Sequence, residues 1–139
     1  MSYTIDDLST GMSAQFAKTV TERDVALFGE VSGDTNPVHF DEEFARTTPF
    51  KGRIAHGVLT ASYISTVLGM EMPGPGTIFI GLNIRFKAPV RIGDTVTAIC
   101  TVREIVPEKR RVSFDCACKV GDTVVLEGEA IVMPPARKI

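Results

Sequence analysis

A carboxylate and an imidazole stand close together in the polar run Ser32-Gly33-Asp34-Thr35-Asn36-Pro37-Val38-His39, and His39 is one of only 2 histidines in the chain. Histidine changes protonation near neutral pH, its ordinary pKa being about 6.5, and a neighbouring carboxylate can hold the ring or share a water with it. Water is a poor nucleophile. Adding it to an activated alkene needs one group that takes a proton and one that returns a proton to the adjacent carbon, and Asp34 and His39 can divide that work. The spacing leaves open which residue takes which proton. It also leaves open a plainer role, in which Asp34 caps a turn and His39 packs or makes one hydrogen bond.

Asn36 precedes Pro37 and is therefore pushed away from helical dihedrals, so the segment from Asp34 to His39 is expected to be extended or turned on a stiff backbone. It stands between two predicted helices, and loops on a rigid scaffold are where catalytic groups concentrate. The second histidine, His56, has no carboxylate or cysteine at metal-ligand spacing. No metal is expected, and His56 either orders its loop or contacts ligand.

The elements that must position these residues can be followed along the chain. Residues 12–20 read as a first strand. Thr21 followed by Asp24 resembles an N-cap with an acidic third position, opening a helix that runs towards Ser32 and is broken by Gly33. Asp41 caps a short helix through Arg46, and Pro49, Lys51, Gly52 and Arg53 form a loop that leads to His56-Gly57. From Gly57 to Met72 apolar residues recur at helical spacing with others around them, which predicts a helix about 24 Å long, buried on most sides. Pro73-Gly74-Pro75-Gly76 stops it. The period then becomes two, with Ile78, Ile80, Leu82, Ile84 and Phe86 on one face. Strand-like runs near 94–106, 111–119 and 123–133 follow, separated by short turns that imply an antiparallel meander. One long apolar helix followed by four strands is an α+β order, and a curved sheet wrapped around the helix is its simplest packing.

Composition narrows the alternatives. A chain of 139 residues with 44% hydrophobic content is the size of one domain, here expected to span 1–139. Charged residues make up 23% and the net charge is -2, so no excess of either sign advertises a nucleic-acid or membrane partner. The first residues lack a signal-peptide pattern and no later run is long enough to cross a bilayer, so a soluble cytoplasmic protein is expected. Cys100, Cys116 and Cys118 are odd in number and alternate within apolar segments, where a thiol acts as a small core hydrophobe.

The run Phe28-Gly29-Glu30-Val31-Ser32-Gly33-Asp34-Thr35-Asn36-Pro37-Val38-His39-Phe40-Asp41-Glu42-Glu43-Phe44-Ala45 resembles the hydratase signature of the MaoC-like, (R)-specific enoyl-CoA hydratases. The likeness continues through Ile54-Ala55-His56-Gly57-Val58-Leu59-Thr60-Ala61-Ser62 and through Asn83-Ile84-Arg85-Phe86-Lys87-Ala88-Pro89-Val90, covering most of the chain. It implies the hot-dog fold, a sheet wrapped around one helix. It also implies reversible addition of water to a trans-2-enoyl-CoA, or in reverse (3R)-3-hydroxyacyl-CoA dehydration, with no metal and no organic cofactor. Asp34 and His39 would hold the reacting water, and the Gly57 amide would polarise the thioester carbonyl. Physical chemistry supports Gly57: an unpaired N–H at a helix start points at the oxygen on which negative charge develops, although a glycine there also serves tight packing.

By the same resemblance Ser65 lies close to the pair. Ser62, Asn36, His56 and Arg85 complete the expected substrate contacts, with a serine bonded back to its own helical turn as the plainer role for Ser62 and Ser65. CoA carries phosphates, for which Lys51, Arg53, Arg85, Lys87 and Arg91 are candidate cations. Leu59, Tyr63, Leu68 and Met72 either fill the core or line an acyl tunnel. Hot-dog proteins pair sheets edge to edge, so at least a homodimer is expected, with pockets near the interface. Three other readings stay open: the same chemistry on acyl carrier protein thioesters, a non-catalytic acyl-thioester binding module, and a thioesterase. The pathway served, whether polyester (polyhydroxyalkanoate) precursor supply, fatty-acid breakdown or carbon assimilation, is open as well.

Overall fold

In the computed structural model, which describes residues 1–139, the period-two half of the sequence forms an antiparallel sheet. Its strands are β1 (Ser13–Thr19), β2 (Ile78–Phe86), β3 (Thr95–Val106), β4 (Arg111–Val120) and β5 (Thr123–Met133), in the order β1-β3-β4-β5-β2. β3, β4 and β5 follow one another as the expected meander. β2 does not continue it: it crosses over to pair with β5, so β1 and β2 are the two edges of the sheet.

Alternation along the strands sorts residues between two faces. Val96, Ala98, Cys100 and Val102 of β3 share one face with Val112, Phe114, Cys116 and Cys118 of β4, and none of the eight is more than 3% exposed. The three cysteines are free and buried, as expected of core hydrophobes. Against this inner face lies α4 (Gly57–Thr66), which continues into a wider π-type turn over Val67–Glu71. Leu59, Tyr63, Ile64, Val67, Leu68 and Met72 join the strands in one core cluster, so Leu59, Tyr63, Leu68 and Met72 take the core role. A sheet wrapped around one helix is thus the observed packing.

Two expectations change. Ile80 is a bulge residue: Phe79 pairs with Val132 and Gly81 with Ile131. The extra residue shifts the alternation, so Phe79, Leu82, Ile84 and Phe86 face the core side, opposite Val132, Ala130, Gly128 and Leu126, whereas Ile78 lies opposite Met133 on the other face. The helix, moreover, is not buried all round. Val58, Ser62, Ser65 and Met70 are exposed, because five strands cover only part of its circumference.

Candidate active site

The loop that carries Asp34 is set by the helix before it. α1 (Glu22–Ser32) opens on a reciprocal capping box, in which the Asp24 amide donates to Thr21 Oγ1 at 3.1 Å and the Thr21 amide to Asp24 Oδ2 at 3.0 Å. It ends where Gly33 takes φ 79° and donates its amide to the Gly29 carbonyl at 2.9 Å. Such left-handed termination is what glycine permits without a Cβ clash. The Asp34 amide then donates to Ser32 Oγ, and Asp34 Oδ1 accepts from the Asn36 amide at 3.2 Å.

Asn36 has the non-helical backbone expected before proline (φ −51°, ψ 125°), yet the following segment is not extended. Pro37 opens a one-turn helix, α2 (Pro37–Phe40), which contains His39. Proline loses nothing at a first helical position, where its missing N–H would have no partner. The Asn36 side chain caps this turn by accepting from the Val38 amide at 3.2 Å. Asp41 ends α2 and caps α3 (Glu42–Arg46).

His39 is 7% exposed and donates from Nδ1 to the Ile54 carbonyl at 2.8 Å. A carbonyl only accepts, so in the neutral ring the proton sits on Nδ1 and the lone pair on Nε2. Burial pushes the imidazole below its ordinary pKa of 6.5; the Ile54 carbonyl and the Asp34 carboxylate oppose that shift, while His56 and Arg53 add to it. Arg53 holds the turn from outside: its Nε donates to the His39 carbonyl at 2.7 Å, and its two terminal nitrogens reach the Glu22 carboxylate at 3.1 and 2.8 Å.

His56 is 2% exposed and donates from Nε2 to the Asp34 carbonyl at 2.9 Å. Its ring lies on that of His39, with centroids 3.9 Å apart and planes at 31°. Side-chain oxygen or nitrogen atoms of Asp34, His39 and His56 all fall within 4.8 Å of one another. The carboxylate and the two imidazoles therefore converge.

Gly57 follows as the first residue of α4, with no side-chain cap at its start. Its N–H is among those a helix start leaves without an intrahelical acceptor. It lines an apolar cleft of about 430 Å³ together with Thr60, Phe86, Val125 and Leu126. Asp34 and His39 do not line this cleft; His56 is the link between them and the helix start. A Cβ at Gly57 would come within 2.7 Å of the Phe86 ring, so the glycine keeps this end of the cleft open.

The other candidates make contacts of their own. Ser62 donates to the Leu59 carbonyl of its own turn. Ser65 is on the exposed stripe of α4, and Asn36 serves as a cap. Arg85 projects from the outer face of the sheet, beside Glu127 of β5 and away from the helix. Among the cations, Arg53 is committed as above and Arg91 donates to the Phe50 and Gly52 carbonyls, whereas Lys87, 3.8 Å from Glu127, lines the cleft with Gly57. The Ile54 carbonyl and the Arg53 clamp, which orient His39, had no sequence signal beyond the charge of Arg53.

The chain is similar to known proteins over nearly its whole length. Residues 7–128 match the model of the MaoC like domain. The chain is 56% identical over 132 residues to an (R)-specific enoyl-CoA hydratase of Rhodospirillum rubrum, covering 95% of this chain and 92% of that protein. It is 48% identical to a 3-hydroxybutyryl-CoA dehydratase of Methylorubrum extorquens, covering 96% of this chain and 85% of that one. Among solved structures, the unliganded R-hydratase PhaJ1 of Pseudomonas aeruginosa superposes with a TM-score of 0.93 at 40% identity, over 99% of this chain and 89% of that one. With the fold and nearly the whole length held in common, the chain belongs to the MaoC-like domain family.

Proposed function

We propose that the chain is an (R)-specific 2-enoyl-CoA hydratase, acting in reverse as a (3R)-3-hydroxyacyl-CoA dehydratase, and that residues 1–139 form one catalytic domain. The observation that carries this is the convergence of the Asp34 carboxylate and the His39 ring, with Nδ1 held by the Ile54 carbonyl. The similarity to named hydratases and dehydratases supports it.

In the hydration direction Asp34 accepts one O–H of a water while His39 Nε2 takes the proton of the other. The oxygen bonds to C3 of the enoyl group, and the C2=C3 electron pair moves towards the thioester oxygen, where the Gly57 N–H meets the developing charge. The imidazolium then returns its proton to C2, which restores the neutral ring. Dehydration is the same sequence reversed. No step calls for a metal or an organic cofactor.

The acyl-CoA substrate comes to the helix start, and the site is completed by a second copy of the chain. β2 is an edge strand with Ile78, Phe79, Ile80, Leu82 and Phe86 exposed. A partner paired along that edge would also cover Val58, Ser62 and Ser65 on α4, and so roof the cleft at Gly57. No helix is long and apolar enough to cross a membrane, and the three free thiols suit the reducing cytoplasm that we assign to the enzyme. Pure protein mixed with crotonyl-CoA should bleach the enoyl-thioester absorbance and yield the (3R)-hydroxy product. Absence of turnover with both short and long enoyl-CoAs would overturn the proposal, and release of free CoA would indicate a thioesterase instead. Faster turnover of the acyl carrier protein thioester would move the carrier but keep the chemistry.

A further inference from the structure

The proton transfers above use Asp34 and His39, and they leave His56 without a task although it touches both. The Asp34 carbonyl can only accept, so the 2.9 Å bond places the proton of a neutral His56 on Nε2. Nδ1 is then left with a lone pair, and it is buried without any hydrogen-bond partner. On its flanks the ring meets His39 at 3.9 Å, Phe28 at 4.8 Å and Phe40 at 5.7 Å. One side chain thus holds the backbone of the carboxylate and the face of the imidazole.

We propose, on the hydratase reading above, that His56 is a positioning residue for the reaction: as a neutral Nε2–H tautomer it pins the Asp34 backbone and fixes the plane of His39. The charges facing the pair are the Asp34 carboxylate, from the loop after α1, and the Arg53 guanidinium, from the loop before α4, whose own partner is Glu22. α2 brings no other charged side chain to the stack, and the neighbouring faces are the Phe28 and Phe40 rings.

The test begins with the unaltered protein, because it then depends on neither folding of a variant nor turnover. Long-range proton–nitrogen NMR of [15N]histidine-labelled protein at neutral pH should show two neutral rings of opposite tautomer, Nδ1–H for His39 and Nε2–H for His56. A charged His56, or one protonated on Nδ1 alone, would overturn the proposal while leaving the hydratase assignment standing. Two variants then separate the contacts. His56→Phe keeps a ring but loses the donor, and kcat should fall roughly tenfold to a hundredfold with KM little changed, the range expected when reacting groups are displaced. His56→Gln can restore an N–H towards the Asp34 carbonyl and should recover much of kcat. Parental kcat in the phenylalanine variant, or no recovery of kcat in the glutamine variant, would also overturn it.

Discussion

Two side chains of unlike acidity can share one water only if each is held in the right protonation state. For His39 that state follows from its surroundings: Nδ1 is tied to the Ile54 carbonyl, and burial lowers the pKa from 6.5. In the proposed mechanism the base works only while neutral. Its folded pKa lies below the ordinary value, so kcat/KM should hold as the pH falls to 6.5 and be lost only below it, as the ring takes its proton at Nε2. A pH profile with its acid midpoint above 6.5 would contradict this. Asp34→Asn and His39→Ala should each lower kcat by about 10²–10⁴-fold, the usual worth of a general acid or base. Circular dichroism should be unchanged, because Asp34 is exposed in a loop and His39 lies on a one-turn helix outside the hydrophobic cluster. Near-parental turnover in either folded variant would remove that residue from the mechanism. The pair was legible in the sequence because a carboxylate and a rare histidine flank a proline that stiffens the chain between them. The Ile54 carbonyl was not, since a backbone acceptor carries no residue-type signal, and Arg53 read as a phosphate-binding cation because its charge is visible in sequence while the fold that commits it is not.

Elements carry the site on two supports, the start of α4 and the join between β5 and β2. At the first, a methyl group on Gly57 would meet the Phe86 ring at 2.7 Å. That ring is 56% exposed and free to swing, so Gly57→Ala should leave the urea midpoint near that of the parent. Turnover of crotonyl-CoA should nevertheless fall, because the displaced ring narrows the cleft where the thioester oxygen must reach the amide. At the second support a methyl group on Gly128 would collide with the Asn83 carbonyl oxygen and come within 2.7 Å of the Ile84 Cα. Backbone cannot swing aside as a side chain can, so Gly128→Ala should cost at least the ~1–3 kcal/mol of an overpacked site. Gly69→Ala, with nothing within 4 Å, is its control, and equal urea midpoints for the two would refute the clash. Period-two runs made the strands legible, and the caps at Thr21 and Asp41 made their helices so. The Ile80 bulge was hidden because an inserted residue leaves hydrophobic types in place while changing the face they serve, and the β2–β5 pairing was hidden because it joins segments far apart in sequence.

At the scale of the whole molecule, the family resemblance foretold the wrapped sheet, yet one copy of the chain leaves its own architecture unfinished. A sheet edge with exposed apolar residues is a template for pairing with another strand, and here it adjoins the uncovered stripe of α4 that begins at Val58, 63% exposed. The two surfaces meet at Gly57 and Phe86, so whatever covers them also closes the cleft in which the thioester would lie. Sedimentation of the parent should accordingly give at least twice the 15.1 kDa of one chain. Ile80→Glu, on the β2 bulge, and Val58→Glu, on the helix stripe, place a charge where the second copy would pack, and burying it unpaired is costly. Both should sediment as monomers while keeping their secondary structure. Both should also lose most turnover of crotonyl-CoA, although neither touches Asp34 or His39, because water and substrate would no longer be held under a roof at the helix start. A fully active monomer would separate catalysis from assembly and confine the working site to a single chain.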